Sequence, residues 1–463
     1  MVTNLRSGLP FRPSFSLVML FLVLSVLWAA GGASREDVFG QAVVRAASAV
    51  LLVAAILFGD QTSFARMRPV LFFLLAAAAL ALLQLIPLPP AIWQALPGRS
   101  FFAEAAEASG ISQPWRPLSL VPGATANAAA SLIVPVAMLV FMAGLSSKER
   151  VWLPGLILAF VAMAMFVGLL QFSGAAIDNP FINDIPGQVS GSFANRNHLA
   201  LFLALGCLLA PVWAFLDGRR PGWRAPVALG LVLLFALTIL ASGSRTGLLL
   251  GGLGIVLGLV MIQRGIRQAL GRYPRWVFPA LIGGLGAAIA ISVLVSIAAG
   301  RAVSIDRALA LDVSQDMRAR ALPTVVEMVR LYFPFGSGLG GFDPVFRIHE
   351  PFGFLAPTYH VHAHNDFLEI ALDAGLPGIL LLAAAIAWWA WASIRAWRAG
   401  SSPRYALPKL GSAMLLLVFI ASIFDFPART PMIMAMIVVA GVWLCSPVEA
   451  RGGSALPKSG EPL

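Results

Sequence analysis

Long apolar runs separated by short polar connections dominate the pattern along this chain. Runs of roughly 17 to 25 apolar residues are long enough to cross a bilayer as helices. Twelve such runs occur, at residues 15–33, 40–59, 68–86, 125–144, 151–172, 197–216, 225–241, 244–262, 275–299, 376–396, 407–424 and 428–445. The pattern predicts an all-α polytopic membrane protein with about 12 transmembrane helices.

Composition agrees with this prediction. Hydrophobic residues make up 59% of the chain and charged residues 11%, too little polar surface for a soluble protein of 463 residues. The net charge of +11 arises from basic clusters between apolar runs, which indicates membrane topology and no nucleic-acid partner. Cys207 and Cys445 lie inside apolar runs without metal or redox spacing, so we expect small core hydrophobes.

The distribution of lysine and arginine predicts the orientation. With a cytoplasmic N-terminus, nineteen of the 32 basic residues fall in short loops and tails on the cytoplasmic side. The positive-inside rule therefore places both termini in the cytoplasm. Arg6, Arg12 and the following apolar run resemble a secretory signal; we prefer an uncleaved first helix, and the remaining topology is the same in either case.

Residues 1–463 are predicted to form a single integral membrane domain with two large outer loops, 87–124 and 300–363. The second loop, between helices 9 and 10, contains a predicted surface helix at about 315–332. The glycines of GSGLGG in this loop follow a proline without a preceding strand, which indicates a sharp turn and no dinucleotide site. The tail 446–463 is predicted to be a disordered cytoplasmic segment.

Residues 359–378, YHVHAHNDFLEIALDAGLPG, are the most unusual stretch. They hold His360, His362 and His364, three of only five histidines in the chain, at the mouth of a membrane helix. Titratable groups in such a place usually face a cavity where they bind charge or do chemistry. By the predicted topology the histidines share the outer side with four arginines: Arg196, Arg245, Arg318 and Arg320.

Arginine and histidine in this combination suit transfer from a lipid-linked phosphate. The guanidinium stays charged and binds phosphate oxygens bidentately, while a neutral imidazole accepts a proton from an attacking hydroxyl. The phosphate would be the leaving group, stabilised as charge develops on it. Arg196 or Arg245 alone would equally suit a snorkelling or headgroup-binding residue, but both together on the histidine side favour a site.

Other interpretations of the histidine segment stay open. On a strand, His360, His362 and His364 would point to one face and could bind Zn²⁺, but the helix expected from Asn365 breaks that pattern, so no metal is predicted. The histidines could also be loop residues, with Asn365 or Asp366 capping the helix. Glu369 and Asp373 lie one helical turn apart, where they would orient a histidine or an arginine, or form an interfacial face.

These motifs resemble a known family. The order of spans, a loop arginine followed by E-M and PFGSGLGGF, the H-N-D-F-L-E run, and the segments GSFANRNHLA and SGSRTG look like the O-antigen ligase family, which takes in O-antigen polymerase-like proteins. The resemblance covers most of the chain and is most specific from about 191 to 382.

The resemblance implies a GT-C-type glycosyltransferase of the bacterial inner membrane with its active site on the periplasmic face. It implies an undecaprenyl-diphosphate-linked glycan as donor, inversion, and no metal or cofactor. Carried over to this chain, it makes His364 the catalytic histidine and Arg318 the loop arginine, with His362 and Arg320 as their rivals. Arg196 and Arg245 match the arginines that bind the diphosphate.

The expected function is therefore that of a ligase that transfers the glycan to a sugar hydroxyl of lipid A-core or another glycan acceptor. The close alternative is a polymerase that joins lipid-linked repeats of O-antigen or exopolysaccharide. A secondary transporter also fits twelve spans. However, within the spans Arg45 is the clearest ionisable residue, whereas a transporter would need ionisable groups near the midplane.

Overall fold

The computed structural model describes residues 13–446 apart from 60–61, 176, 184, 217–220, 272–273, 275, 277–282, 285, 288–316, 356–359, 401 and 403–404. The predicted span at 275–299 and the first part of the second outer loop therefore fall almost entirely outside the described residues. The predicted disordered tail lies outside them from residue 447 onward.

The described chain is nearly all helical. Its α-helices are α1 (Phe15–Ala30), α2 (Phe39–Phe58), α3 (Arg68–Leu83), α4 (Pro90–Gln94), α5 (Ser100–Ala108), α6 (Pro122–Ser131), α7 (Ile133–Ala143), α8 (Ser147–Phe172), α9 (Arg196–Phe215), α10 (Arg224–Ser242), α11 (Arg245–Leu270), α12 (Met317–Tyr332), α13 (Phe342–His349), α14 (Asp366–Arg398), α15 (Ala406–Phe424) and α16 (Pro431–Leu444). Two short strands, β1 (Pro87–Leu88) and β2 (Arg116–Pro117), pair antiparallel, and 3₁₀ turns cover Phe352–Phe354 and Pro427–Arg429.

The prediction of an all-α polytopic membrane protein is confirmed. Within the described residues, eight helices are long and apolar enough to cross a membrane, with α6 and α7 counted together as Pro122–Ala143. Three shorter apolar helices, α1, α3 and α16, complete the match. Every predicted span except the one at 275–299 thus has its helix.

Helix α9 lies at the centre of the bundle. It packs against α8, α10, α11 and α15, and 83% of the residues in its apolar stretch are buried. Its packing against α11 is tight, since a Cβ added to Gly254 would lie 2.7 Å from the backbone oxygen of Ala204. Small residues allow membrane helices to pack this closely.

The two outer loops are joined by a buried arginine. Nη2 of Arg99 donates hydrogen bonds to the backbone oxygens of Leu118, at 2.7 Å, and Gly336, at 3.1 Å. Its guanidinium also lies 5.6 Å from the ring centroids of both Trp93 and Tyr332. Because a charge is buried only where it is hydrogen-bonded, Arg99 fixes the glycine-rich turn after α12 against the first loop.

That glycine-rich turn docks onto a break in α14. Gly375 has φ 57° and ψ −145° inside the helix, and the turn supplies partners for the freed backbone groups. Ser337 and Gly338 donate to the oxygens of Leu372 and Asp373, both at 2.9 Å, and Leu376 donates to Pro334 at 2.8 Å. A helix can break at membrane depth only where its polar groups are bonded in this way.

Helix α14 begins where the sequence predicts a helix, ten residues before the predicted apolar span at 376. It starts at Asp366, with Asn365 as N-cap accepting from the backbone N–H of Leu368 at 3.0 Å. The segment before the break at Gly375 is thus a short polar half-helix. The predicted capping by Asn365 is confirmed, and so is the predicted surface helix, observed as α12.

A candidate active site at the histidine segment

Residues 360–364 form an irregular segment that leads into α14. His364 has φ 53°, a left-handed conformation that is uncommon for residues other than glycine and concentrates at functional sites. The strand that would point three histidines to one face is not present. Within the described part of the chain, no group of three histidine, cysteine or acidic side chains is arranged to hold a metal ion.

His364 is paired with a carboxylate that follows α15. Its Nδ1 lies 3.1 Å from Oδ1 of Asp425. Because an ionised carboxylate only accepts hydrogen bonds, this contact implies a proton on Nδ1 of His364. The other ring nitrogen, Nε2, then carries the lone pair, and it makes no hydrogen bond within the described residues. A neutral His364 held in this way can accept a proton at Nε2.

Asp425 joins several elements. Its Oδ2 accepts from the side-chain amides of Asn195, at 3.1 Å, and Asn197, at 2.6 Å, and lies 3.7 Å from Nη2 of Arg318. Burial alone would raise the pKa of Asp425, but the hydrogen bond from His364 and the charge of Arg318 outweigh burial. They hold that pKa well below its usual range, so the carboxylate stays ionised.

The structure distinguishes Arg318 from Arg320. Arg318 reaches the site from α12: its Nη1 donates to the backbone oxygen of Phe424 at 3.1 Å, next to Asp425. Arg320 is exposed, and its guanidinium lies 4.7 Å from the ring centroid of Phe354. Of the two rival arginines, Arg318 is therefore the one that lies beside Asp425, the carboxylate paired with His364.

Arg196 and Arg245 are the first residues of α9 and α11. The two helix starts are linked because the hydroxyl of Ser244, the N-cap of α11, donates to Oδ1 of Asn197 at 2.8 Å, and Asn197 in turn binds Asp425. Neither guanidinium makes a hydrogen bond or an ion pair within the described chain. Two arginines without partners among the described residues thus lie at helix N-termini, where the macrodipole also favours an anion.

His362 belongs to a second network. Its Nδ1 lies 2.8 Å from Oε1 of Glu369, whose Oε2 accepts from the backbone N–H of Ala363 at 2.8 Å. Glu369 also pairs with Arg429, which lies 3.1 Å away and is buried. Glu369 therefore contacts both a histidine and an arginine, which agrees with the first of the two alternatives left open by the sequence.

Arg429 is surrounded by three carboxylates of the half-helix. Besides Glu369, it lies 3.5 Å from Asp366 and 3.4 Å from Asp373. Burial would lower the pKa of Arg429, but the charges of Glu369, Asp373 and Asp366 outweigh burial and raise that pKa above its usual value. The arginine is therefore permanently charged, and it holds together a cluster of like charges that would otherwise repel one another.

Phe426 fixes the spacing of the two histidines. Its ring centroid lies 4.3 Å from that of His362 and 4.9 Å from that of His364. The remaining histidines have no carboxylate partner among the described residues. His198 contacts Thr430 and also packs on Phe426, His360 packs against Phe346 and His364, and His349 contacts Tyr332. Two carboxylate-paired histidines on one aromatic ring therefore form the core of the site.

Sequence reasoning missed Asp425 and Arg429. Both lie in the FDFPART segment, Asp425 between the last two predicted spans and Arg429 at the start of the last one, and the predicted topology places this end on the same side as the histidines. An aspartate and an arginine in so short a connection between apolar helices are the signal that could have identified them, because charged groups at this depth need partners.

The fold and the site define a helical membrane protein with a charged, histidine-containing centre where helix ends meet. Residues 229–383 match the family model described as O-antigen ligase. That segment contains Arg245, Arg318, His362 and His364. The chain is 28% identical over 199 residues to the exopolysaccharide production protein ExoQ of Rhizobium meliloti (strain 1021). The match covers 42% of this chain and 43% of that protein, less than half of the relative's length.

Over residues 229–383 this chain is therefore similar to the O-antigen ligase family, as its motifs predicted. Each of the two matches covers less than half of the chain.

Proposed function

We propose that this protein is a membrane glycosyltransferase that moves a glycan from undecaprenyl diphosphate to a sugar hydroxyl of lipid A-core at the periplasmic face. The observation that carries the proposal is the contact of His364 with Asp425, to which Arg318 and the helix starts bearing Arg196 and Arg245 are also joined. A base and a group of cations beside one another are what transfer from a diphosphate requires.

In the proposed reaction, Arg196, Arg245 and Arg318 hold the diphosphate of the donor. His364 accepts the proton of the acceptor hydroxyl at Nε2 while the hydroxyl oxygen forms a bond to the anomeric carbon. The bond from that carbon to the phosphate oxygen breaks, and its electron pair leaves with undecaprenyl diphosphate. Attack from the face opposite the leaving group inverts the anomeric centre.

Asp425 acts through His364. It holds the proton on Nδ1, keeps Nε2 available, and stabilises the imidazolium that forms when the proton is taken up. The same carboxylate lies near Arg318, so it also positions the guanidinium. His362 has a comparable partner in Glu369 but belongs to the Arg429 network, and for this reason we assign the base to His364 and keep His362 as its rival.

We propose that the reaction needs no metal ion. The leaving diphosphate carries negative charge, and the three arginines supply the positive charge that a divalent cation supplies in many phosphate enzymes. Transfer that continues in excess chelator is the expected result, and loss of transfer restored by added Mg²⁺ or Zn²⁺ would contradict it.

The second candidate is a polymerase that adds one lipid-linked repeat to another. The similarity to a protein named for exopolysaccharide production favours it. A polymerase and a ligase would bind the donor in the same way. They differ in the acceptor alone.

One experiment tests both candidates. The purified chain is reconstituted with an undecaprenyl-diphosphate-linked oligosaccharide and offered lipid A-core, and the products are identified by mass. Glycan on lipid A-core supports the ligase, and longer glycans on undecaprenyl diphosphate support the polymerase. Formation of neither product by folded protein would overturn the proposal.

A further inference from the structure

A second feature, a polar cavity of roughly 260 Å³, lies beside His362. It lies between the α1–α2 connection, α2, α6 and the start of α13, and its polar lining includes Arg35, Gln41, Arg45, Asn127, His362 and Arg429. Neither His364 nor the three arginines of the proposed diphosphate site line it. The cavity is therefore a separate space that adjoins the proposed site through His362.

Arg45 is the most unusual residue of its wall, because it lies inside the membrane-crossing helix α2. Its Nη1 donates to Oδ1 of Asn127 and its Nη2 to Oε1 of Gln41 at 3.3 Å. Nε is buried and makes no hydrogen bond to the described residues. Both hydrogen-bond partners are neutral amides, and Glu36 on the same wall acts on Arg45 through its charge without forming an ion pair with it. Ionisable groups in such positions are costly and usually functional.

The other cations on the wall are already paired. Arg35 contacts the carboxylate of Asp37, and Arg429 lies among the three acidic residues of α14. Arg45 is thus the lining cation with no carboxylate within ion-pair distance in the part of the chain described. A bound anion would supply that missing partner.

The lining also indicates which anion fits. Glu36, Asp37 and Asp343 lie on the same wall and would repel a doubly charged phosphate more strongly than a singly charged carboxylate. The amides of Gln41 and Asn127 and the hydroxyls of Ser34 and Ser131 suit the hydroxyl groups of a sugar. The chemistry of the cavity is therefore that of an acidic sugar.

We propose that this cavity binds an acidic sugar residue of the acceptor glycan, whose carboxylate pairs with Arg45. That the sugar belongs to the acceptor rests on the proposed function, whereas the binding of an acidic sugar in the cavity does not. His362 lines the cavity and packs on the same Phe426 ring as His364. A glycan anchored there extends toward the proposed base from the side that the donor arginines do not line.

The test measures binding of two probes of equal length, tetragalacturonate and neutral maltotetraose, to the full chain in lipid nanodiscs. The wild-type protein is expected to prefer tetragalacturonate. Because Arg45→Gln removes a hydrogen bond to a charged group, it should weaken tetragalacturonate binding by about tenfold or more and leave maltotetraose binding unchanged.

Arg116→Gln is the matched control, since Arg116 stacks on Trp93 and does not line the cavity. Arg45→Lys keeps the charge and should bind tetragalacturonate more tightly than Arg45→Gln. Equal binding of the two probes by the wild-type protein would overturn the proposal without any variant. Equal affinity of the wild type and Arg45→Gln for tetragalacturonate would also overturn it.

His364→Ala separates this inference from the proposed function. Because His364 does not line the cavity, the variant should bind tetragalacturonate like the wild type while losing transfer. Normal transfer by His364→Ala would contradict the proposed base and leave the cavity in place. Loss of the preference for the acidic probe would contradict the cavity and leave the proposed base in place.

Discussion

Nδ1 of His364 lies 3.1 Å from Oδ1 of Asp425, although 61 residues separate them in the chain. The contact joins the irregular segment before α14 to the connection after α15. It also brings together the asparagines at the start of α9 and the arginine of α12. The short connection between α15 and the last helix is therefore part of the candidate site.

Asp425→Asn tests the pairing. The amide keeps the shape of the side chain but removes the charge that holds the proton on Nδ1 of His364, so we expect transfer to fall by about 10²–10⁴-fold with donor binding largely retained. Turnover and donor affinity of the purified variant measure this. Asp178→Asn is the matched control, because Asp178 is exposed and lines neither the site nor the cavity beside His362. Equal losses in the two variants would contradict the role of Asp425.

The ionisation of Asp425 predicts how the stability of the protein depends on pH. Its pKa is depressed in the folded protein, so its stabilising contribution is present above the unfolded value of about 3.9 and is lost as the pH falls below it. The difference in melting temperature between wild type and Asp425→Asn should therefore stay constant at neutral and mildly acidic pH. A difference that disappears between neutral pH and about pH 5 would contradict the depressed pKa.

Arg318→Gln and Arg320→Gln form a matched pair on one helix. Arg318 lies at Asp425, and Arg320 lies on Phe354. Because a charge-assisted hydrogen bond contributes about 1.5–3 kcal/mol, Arg318→Gln should weaken binding of undecaprenyl diphosphate by about tenfold or more, whereas Arg320→Gln should not. Titration of both proteins with undecaprenyl diphosphate measures the effect. A larger loss in Arg320→Gln would reverse the assignment.

Arg429→Met tests the carboxylate cluster. Removal of the cation leaves three buried carboxylates without a counter-charge, so we expect a loss of about 3–5 kcal/mol in stability, seen as a lower melting temperature. Arg347→Met removes one half of an exposed pair and should change stability by at most about 1 kcal/mol. Adding Asp373→Asn to Arg429→Met should recover part of the loss. No recovery would show that Arg429 acts chiefly by packing.

Gly375→Ala tests the break in α14. The left-handed φ at this position disfavours any side chain, and a Cβ would collide with the backbone oxygen of Pro334. We expect destabilisation by more than about 1 kcal/mol. Gly252→Ala in α11 is the control, since a Cβ there meets no atom within 4 Å, and it should be neutral or stabilising. Melting temperatures that move together in both variants would contradict the strained break.

Local pattern was enough to predict most of the fold. The span at 197–216 and the observed α9 (Arg196–Phe215) differ by one residue at each end, because apolar length and the cap at Asn195 are both written in the local sequence. Hydropathy alone begins the span at residue 376, and the capping residue Asn365 is the local signal that the helix begins earlier. The local sequence does not show that Arg429, far along the chain, neutralises Asp366, Glu369 and Asp373.

The site shows the same division. Residue type, predicted topology and family motifs were enough to identify the candidate site residues from local segments. These were His362, His364, Arg196, Arg245 and Arg318. Asp425 was not predicted as the partner of His364. The two residues are 61 positions apart in the chain, and only the packing of the helices brings them together. The difference between Arg318 and Arg320 also needed the structure, since which of two arginines a helix directs toward the site depends on how that helix docks.

The most direct test of the central claim is transfer by His364→Ala. Wild type, His364→Ala and His349→Ala are reconstituted with an undecaprenyl-diphosphate-linked glycan and lipid A-core, and product is measured together with binding of undecaprenyl diphosphate. His349, which pairs with Tyr332, is the matched control. His364→Ala should bind undecaprenyl diphosphate like the wild type and form almost no product, while His349→Ala stays active. Full transfer by a folded His364→Ala protein would contradict the assignment of His364 as the base.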